Sequence, residues 1–190
     1  IDPDSVKQII MVNFDESNHM ISDLRGHDSD KNSEKDHRVA IAFQCLTVFI
    51  NRIYSNQYPI IQGLVSFNNQ IKVKCPLSPF VSDFEDKGLE SIKPESVTRL
   101  WDSLVRSCDE IVKFRKDIKG NEIYKNAISR IIVISGGEDN YSRTRVENAV
   151  KLLIENKIIV DSIIYGSEDE CKMLCAVCHA TGGISMRPES

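Results

Sequence analysis

Two hydrophobic rhythms alternate along the chain. In the first, apolar residues crowd into short strand-like segments: Ile9-Ile10-Met11-Val12, then 60–67, 130–134 and 158–165. Short runs of this kind, rich in β-branched residues, predict strands buried on both faces. In the second, apolar residues recur every three or four positions. Val39, Phe43, Leu46, Ile50 and Ile53 form one such series, ending near Asn56 before Pro59. Leu100, Leu104, Cys108 and Ile111 form another, within a segment that starts near Val97, and Val146, Ala149, Val150 and Leu153 a third. Each series predicts an amphipathic helix with one face toward a core, and 169–180 predicts a further helix.

The strand at 60–67 is followed by Asn68-Asn69-Gln70 and a second strand-like run at 71–75, a hairpin signature that places one antiparallel strand at a sheet edge. The stretch 77–94 mixes Pro, Ser and acids and is expected to hold one short helix, while 116–126 reads as an exposed loop. Thr181-Gly182-Gly183 turns the chain into a last short strand at 184–186. Strands alternating with helices predict an α/β, doubly wound, Rossmann-like three-layer sandwich whose central sheet is mostly parallel. One domain over 1–190 accommodates this order. Residues 26–37 (GHDSDKNSEKDH) carry no Val, Ile, Leu or aromatic side chain and are expected to be a charged, flexible loop that takes His27 and His37 with it.

Composition narrows the function classes. With 24 basic against 28 acidic residues the net charge is −4, and no basic stripe stands out, so nucleic-acid and anionic-membrane binding are disfavoured. No apolar run approaches the roughly 20 residues of a membrane-spanning helix. The amino terminus does not resemble a signal peptide, and because the chain starts without Met it is expected to be a piece of something longer. Cysteines at 45, 75, 108, 171, 175 and 178 are expected to be buried thiols, since a chain of this size builds a core without disulfides; an intracellular setting follows.

Candidate chemistry concentrates where the first strand ends. Asp15, Ser17 and His19 follow the apolar run at alternate positions, and open α/β sheets place ligand sites at the carboxyl ends of their strands. The other polar clusters carry less. Cys171, Cys175, Cys178 and His179 have some zinc-ligand character, yet the three cysteines share one helical face as core residues do. Trp101, beside the Leu100 face, would serve equally as a buried residue or a partner anchor. Gly136-Gly137 follows a strand as phosphate-cradling turns do, but no G-x-G-x-x-G or P-loop lysine accompanies it. No nucleophile-base pair can be argued from spacing, so no catalysis is expected.

Five motifs in order resemble those of von Willebrand factor type A domains over roughly residues 9–186: Asp15-Glu16-Ser17-Asn18-His19-Met20; Phe67-Asn68; Pro76-Leu77-Ser78 with Val97-Thr98-Arg99-Leu100-Trp101-Asp102-Ser103-Leu104; Ser135-Gly136-Gly137-Glu138-Asp139; and Cys178-His179-Ala180-Thr181-Gly182-Gly183. In that family, loops at the strand ends form a metal-ion-dependent adhesion site, in which two Ser and one Thr hydroxyl ligate Mg²⁺ and two Asp carboxylates hold its waters. The resemblance implies binding rather than catalysis. Asp15, Ser17 and Thr98 match the pattern residue by residue, but His19 stands where the second Ser belongs and Gly136 where the second Asp belongs. Mg²⁺ demands oxygen ligands in near-octahedral geometry, whereas an imidazole better suits Zn²⁺ or Cu²⁺. The site is therefore expected to be degenerate. The reading is a non-enzymatic scaffold domain with no required cofactor, of the kind found in ubiquitin-linked and other multiprotein assemblies. Its protein partner would meet Asp15, Glu16, Ser17, His19, Thr98, Gly136, Glu138 and Asp139. The alternative is a metal-dependent adhesion domain holding a divalent cation, Mg²⁺ or another, weakly at Asp15, Ser17, Thr98 and His19.

Overall fold

A computed structural model describes residues 2–20, 38–80, 97–117 and 119–188. Its elements run β1 (Gln8–Asp15), α1 (Arg38–Ser55), β2 (Ile60–Phe67), β3 (Ile71–Ser78), α2 (Leu100–Phe114), β4 (Ile128–Ser135), α3 (Val146–Glu155), β5 (Ile158–Ile164), α4 (Glu168–Ala180) and β6 (Ser185–Met186). The charged 26–37 loop and most of the 77–94 stretch expected to hold a short helix lie outside the described residues.

Among the described residues six strands form one sheet in the order β3-β2-β1-β4-β5-β6. Every pairing is parallel except β2 with the edge strand β3, as the hairpin signature predicts. β1 lies inside the sheet, and its alternate side chains serve opposite faces. Ile9 and Met11 enter the core beneath α2, α3 and α4, with Leu104, Ile131, Val133, Leu153, Val160 and Leu174. Ile10, Val12 and Phe14 enter the core beneath α1, with Ala42, Leu46, Ile50 and Leu64. Burial on both sides is why this strand reads as an unbroken apolar run, and it yields the three-layer α/β sandwich.

Element ends depart from expectation for local reasons. β3 continues past Cys75 through Pro76 to Ser78, with register shifts against β2 around Leu64. An edge strand tolerates proline because its missing N–H can face away from the ladder. β4 begins two residues before Arg130, where Ile128 pairs with Gln8. α2 starts at Leu100 rather than near Val97, because the backbone of Thr98 is engaged elsewhere.

The thiols follow the packing with one exception. Cys75, Cys108, Cys171 and Cys178 are buried and Cys175 is half-buried, but Cys45 is exposed on α1, against the expectation of a buried thiol. It sits one residue off the inward face marked by Ala42, Leu46 and Ile50. On α4 the inward residues are Cys171, Leu174, Val177 and Cys178. Burial pushes the Cys171 thiol up to about 11, in keeping with its place on the packed face of α4. Among the described residues no three His, Cys, Asp or Glu side chains are grouped to hold a metal ion.

Candidate functional site at the carboxyl ends of the strands

β1, β2 and β4 end together, and their loops cross-link at once. The Glu16 N–H donates to the Phe67 carbonyl at 2.8 Å, tying the end of β1 to that of β2. The Asp15 carboxylate lies at the centre, 1% exposed. Its Oδ1 accepts the Ser17 N–H at 2.8 Å; its Oδ2 accepts the Ser135 hydroxyl at 2.6 Å and the Gly136 N–H at 3.4 Å. Ser135 in turn accepts the Gly137 N–H at 3.0 Å. Burial pushes the Asp15 carboxyl above the ordinary carboxylate range, and these hydrogen bonds oppose the shift without cancelling it.

The loop that leaves β4 reaches from Asp15 to Thr98. Asn140 Oδ1 accepts the Thr98 N–H at 2.8 Å, and the N–H groups of Asn140 and Tyr141 both donate to the Thr98 carbonyl. Asp139 Oδ1 accepts the Leu100 N–H at 2.7 Å, the Trp101 N–H at 3.4 Å and the Ser142 hydroxyl at 2.6 Å, so it caps α2 from across the loop. Asp102 completes the clamp: it accepts the N–H groups of Arg143 and Thr144 and two bonds from the Arg99 guanidinium. Asp102, Asn140 and Ser142 were not among the residues singled out in the sequence. Their partners across the loops lie about forty positions away, and only the Asp102 position within the α2 motif hinted at a role.

The expected contact residues lie deeper than a surface. Asp15, Glu16, Ser17, Thr98 and Gly136 are buried, and Glu138 and Asp139 are half-buried. Glu16 faces Lys74 of β3 at 3.3 Å. Asp139, expected in the contact surface, spends its carboxylate on the helix cap. The side chain of His19 lies outside the description. Trp101 is buried at 8% exposure, which answers the question its sequence position left open.

Two hydroxyls bear on the cation reading. Among the described residues Thr98 Oγ1 is buried without a hydrogen-bond partner, and the buried Ser17 Oγ has none beyond its approach to the Asp15 carboxylate, whose charge it helps to hold. An unsatisfied buried hydroxyl costs about 1–3 kcal/mol, so natural sites seldom keep one without a use. With Asp15 Oδ1, they form an oxygen donor set of the kind a hard divalent cation takes. Gly136 adds no second carboxylate, so the fit is to a cation held by neutral oxygens and one acid.

Asp102 also gives the domain a pH signature. Burial works against its ionised form, but the N–H donors of Arg143 and Thr144, the Thr144 hydroxyl and the Arg99 guanidinium outweigh it and hold the carboxyl at about 2. The folded value lies below the unfolded one, so its stabilisation is present above about pH 4 and drains away as pH falls toward 2. Allowing for solvent at the loop edge, the contribution is about 1–2 kcal/mol. Urea denaturation across pH 2–5 should show that loss in the parent chain, with a flatter profile in Asp102→Asn; parallel profiles would refute the assignment.

No protein-family model matches the chain. Over 132 residues, 69% of its length, it is 24% identical to the "Probable bifunctional E2/E3 enzyme" of Acanthamoeba polyphaga mimivirus, and the match spans 10% of that protein. Among solved structures, the SpRpn10 VWA domain superposes with a TM-score of 0.65 at 17% identity, covering 97% of this chain and 90% of that one. The von Willebrand factor type A protein from Catenulispora acidiphila gives 0.67 at 13% identity, covering 97% of this chain and 39% of the other. At these identities the likeness speaks to architecture. Both superpositions cover nearly the whole of this chain, and the chain has the von Willebrand factor type A fold.

Proposed function

We propose that this chain is a non-catalytic protein-interaction domain, intracellular and part of a multiprotein assembly, that receives a protein partner on the loops at the carboxyl ends of β1 and β4. The observation that carries this reading is how the strand-end acids are used. Asp15, Asp102 and Asp139 each hold several donors of neighbouring loops, so they build a rigid platform instead of acting as acids or bases. One similarity points to ubiquitin-linked machinery, the E2/E3 name of the mimivirus relative. A partner on this face would be captured by a photo-crosslinking residue in place of Tyr141, which is 59% exposed, and not by one in place of Val48, 58% exposed on α1. Capture at Val48 alone, or equal capture at both, would count against the reading.

The buried hydroxyls of Ser17 and Thr98 favour a second reading, in which the partner binds through a divalent cation. Asp15, Ser17 and Thr98 would hold the ion, with His19 inclining the choice toward Zn²⁺ or Cu²⁺. The ion would supply a Lewis-acid seat for a partner's carboxylate. Ligand present at a hundredfold excess over its dissociation constant stabilises the native state by about 2.7 kcal/mol, a melting shift of roughly 5–10 °C for a domain of this size. Such a shift with Mg²⁺, Mn²⁺ or Zn²⁺ that disappears in Thr98→Ala supports this reading; unchanged melting with all three refutes it and leaves the first standing.

A further inference from the structure

The loop between β4 and α3 turns its acids inward and its bases outward. Asp139 is spent on the α2 cap, and Glu138 is half-buried. Beyond them, exposed Tyr141, Arg143 and Arg145 alternate with half-buried Ser142, Thr144 and Val146. That alternation sets one aromatic and two guanidinium groups on the outward side of a single short segment. Among the described residues neither arginine has an ion-pair partner, whereas nearby Arg99 is bound to Asp102.

The segment is also held still. Five backbone N–H groups bear on its shape: those of Asn140 and Tyr141 donate to Thr98, those of Arg143 and Thr144 to Asp102, and that of Asp102 to Ser142 Oγ at 3.1 Å. A surface already fixed in its bound form loses little conformational entropy when a partner docks. Tyr and Arg are the side chains that most often carry binding energy at protein interfaces.

We infer that Tyr141, Arg143 and Arg145 form a docking surface for an acidic segment of a protein partner, one that sets an apolar side chain against the tyrosine ring and carboxylates against the guanidinium groups. The inference deepens the interaction reading above and rests on it. Charge complementarity selects the occupant. The chain as a whole carries −4, so the two outward guanidinium groups, with exposed Glu147 beyond them, are a local attraction for an acidic segment that sets its site and register. Two arginines beside one tyrosine are too few for the extended basic footprint that a nucleic acid needs.

The test uses the purified chain and fluorescence anisotropy with three labelled probes: a short peptide alternating Glu and Leu, its Lys/Leu counterpart, and oligouridylate. The Glu/Leu peptide should bind, less tightly as salt rises. Arg143→Glu combined with Arg145→Glu should weaken that binding about tenfold at low salt, since two charge-assisted contacts become repulsions. Tyr141→Ala should weaken it several-fold. The melting temperature should not move, because the loop is anchored through main-chain N–H groups and not through these side chains. Failure of the Glu/Leu peptide to bind, equal binding of the Lys/Leu peptide, tighter binding of oligouridylate, or indifference to the double reversal would each overturn the inference. A native partner that still crosslinks at position 141 in the double-reversal variant overturns the acidic assignment and spares the interaction reading. Loss of the crosslink only when the arginines are reversed supports both.

Discussion

Gly166→Ala should cost at least about 3 kcal/mol. Gly166 follows β5 directly, where the Tyr165 N–H donates to the Ser135 carbonyl at 3.0 Å. A methyl group at 166 would overlap the Gly136 carbonyl oxygen, lie 2.8 Å from its carbonyl carbon and press on Cys171 Sγ at 3.3 Å. The obstruction is backbone, which no rotamer change relieves, so the ends of β4 and β5 must separate. They cannot do so freely. Gly137 already sits at φ +92°, with space for a β-carbon closed by Cys171 Sγ at 2.8 Å. Displacing Gly136 also pulls its N–H and the Ser135 hydroxyl from Asp15. The thermal midpoint should therefore fall by roughly 6–12 °C, and any metal or partner response at the strand-end face should weaken with it. A midpoint within about 2 °C of the parent would show that the close approach is not rigid.

This contact illustrates what the sequence could and could not reveal. Local patterns were enough for the sheet. β1 declared itself because both its faces are buried, and the edge strand because Asn68-Asn69-Gln70 is a hairpin connection, in which Asn68 Oδ1 accepts the Gln70 N–H. The strand-end position of Asp15 followed from the apolar run before it. Pairings across the fold left no such trace. Nothing in the spacing of Asp102 or Asp139 says that one holds the 143–144 backbone and the other caps a helix that starts thirty-nine residues earlier. The same gap explains why the contact residues looked superficial in sequence. A polar loop reads as exposed until the main-chain N–H groups that enclose Asp15 are placed around it. Once they are, the exposed part of the face passes to Tyr141, Arg143 and Arg145, which no motif marked.

Asn13→Leu should cost about 3 kcal/mol, and its rescue should be more informative than its loss. Asn13 points from β1 toward α2 with no exposed surface. Its Nδ2 donates to Ser103 Oγ at 3.0 Å, its Oδ1 accepts the Ser107 hydroxyl at 2.5 Å, and Ser103 passes its own proton to the Leu100 carbonyl at 2.7 Å. Every hydrogen bond of this buried chain is internal, so leucine of similar size would fill the space but strand the Ser107 hydroxyl and leave Ser103 Oγ without the donor it accepts. Each stranded group costs about 1–3 kcal/mol, although Ser107 can recover part by turning back to its own helix. Removing both partners as well, in Asn13→Leu with Ser103→Ala and Ser107→Ala, should restore most of the stability, because an all-apolar contact leaves nothing unsatisfied. Urea midpoints of the single and triple variants decide the matter: a single variant as stable as the parent, or a triple as weak as the single, would refute it. The tie matters beyond stability. Asn13 precedes Asp15 by two residues, and α2 begins two residues after Thr98, so the Asn13–Ser103 bond helps set how the acid and the hydroxyl face each other. If the triple variant regains its melting point but responds less to a cation than the parent does, the buried amide is there to align the strand-end site as well as to hold the helix on the sheet.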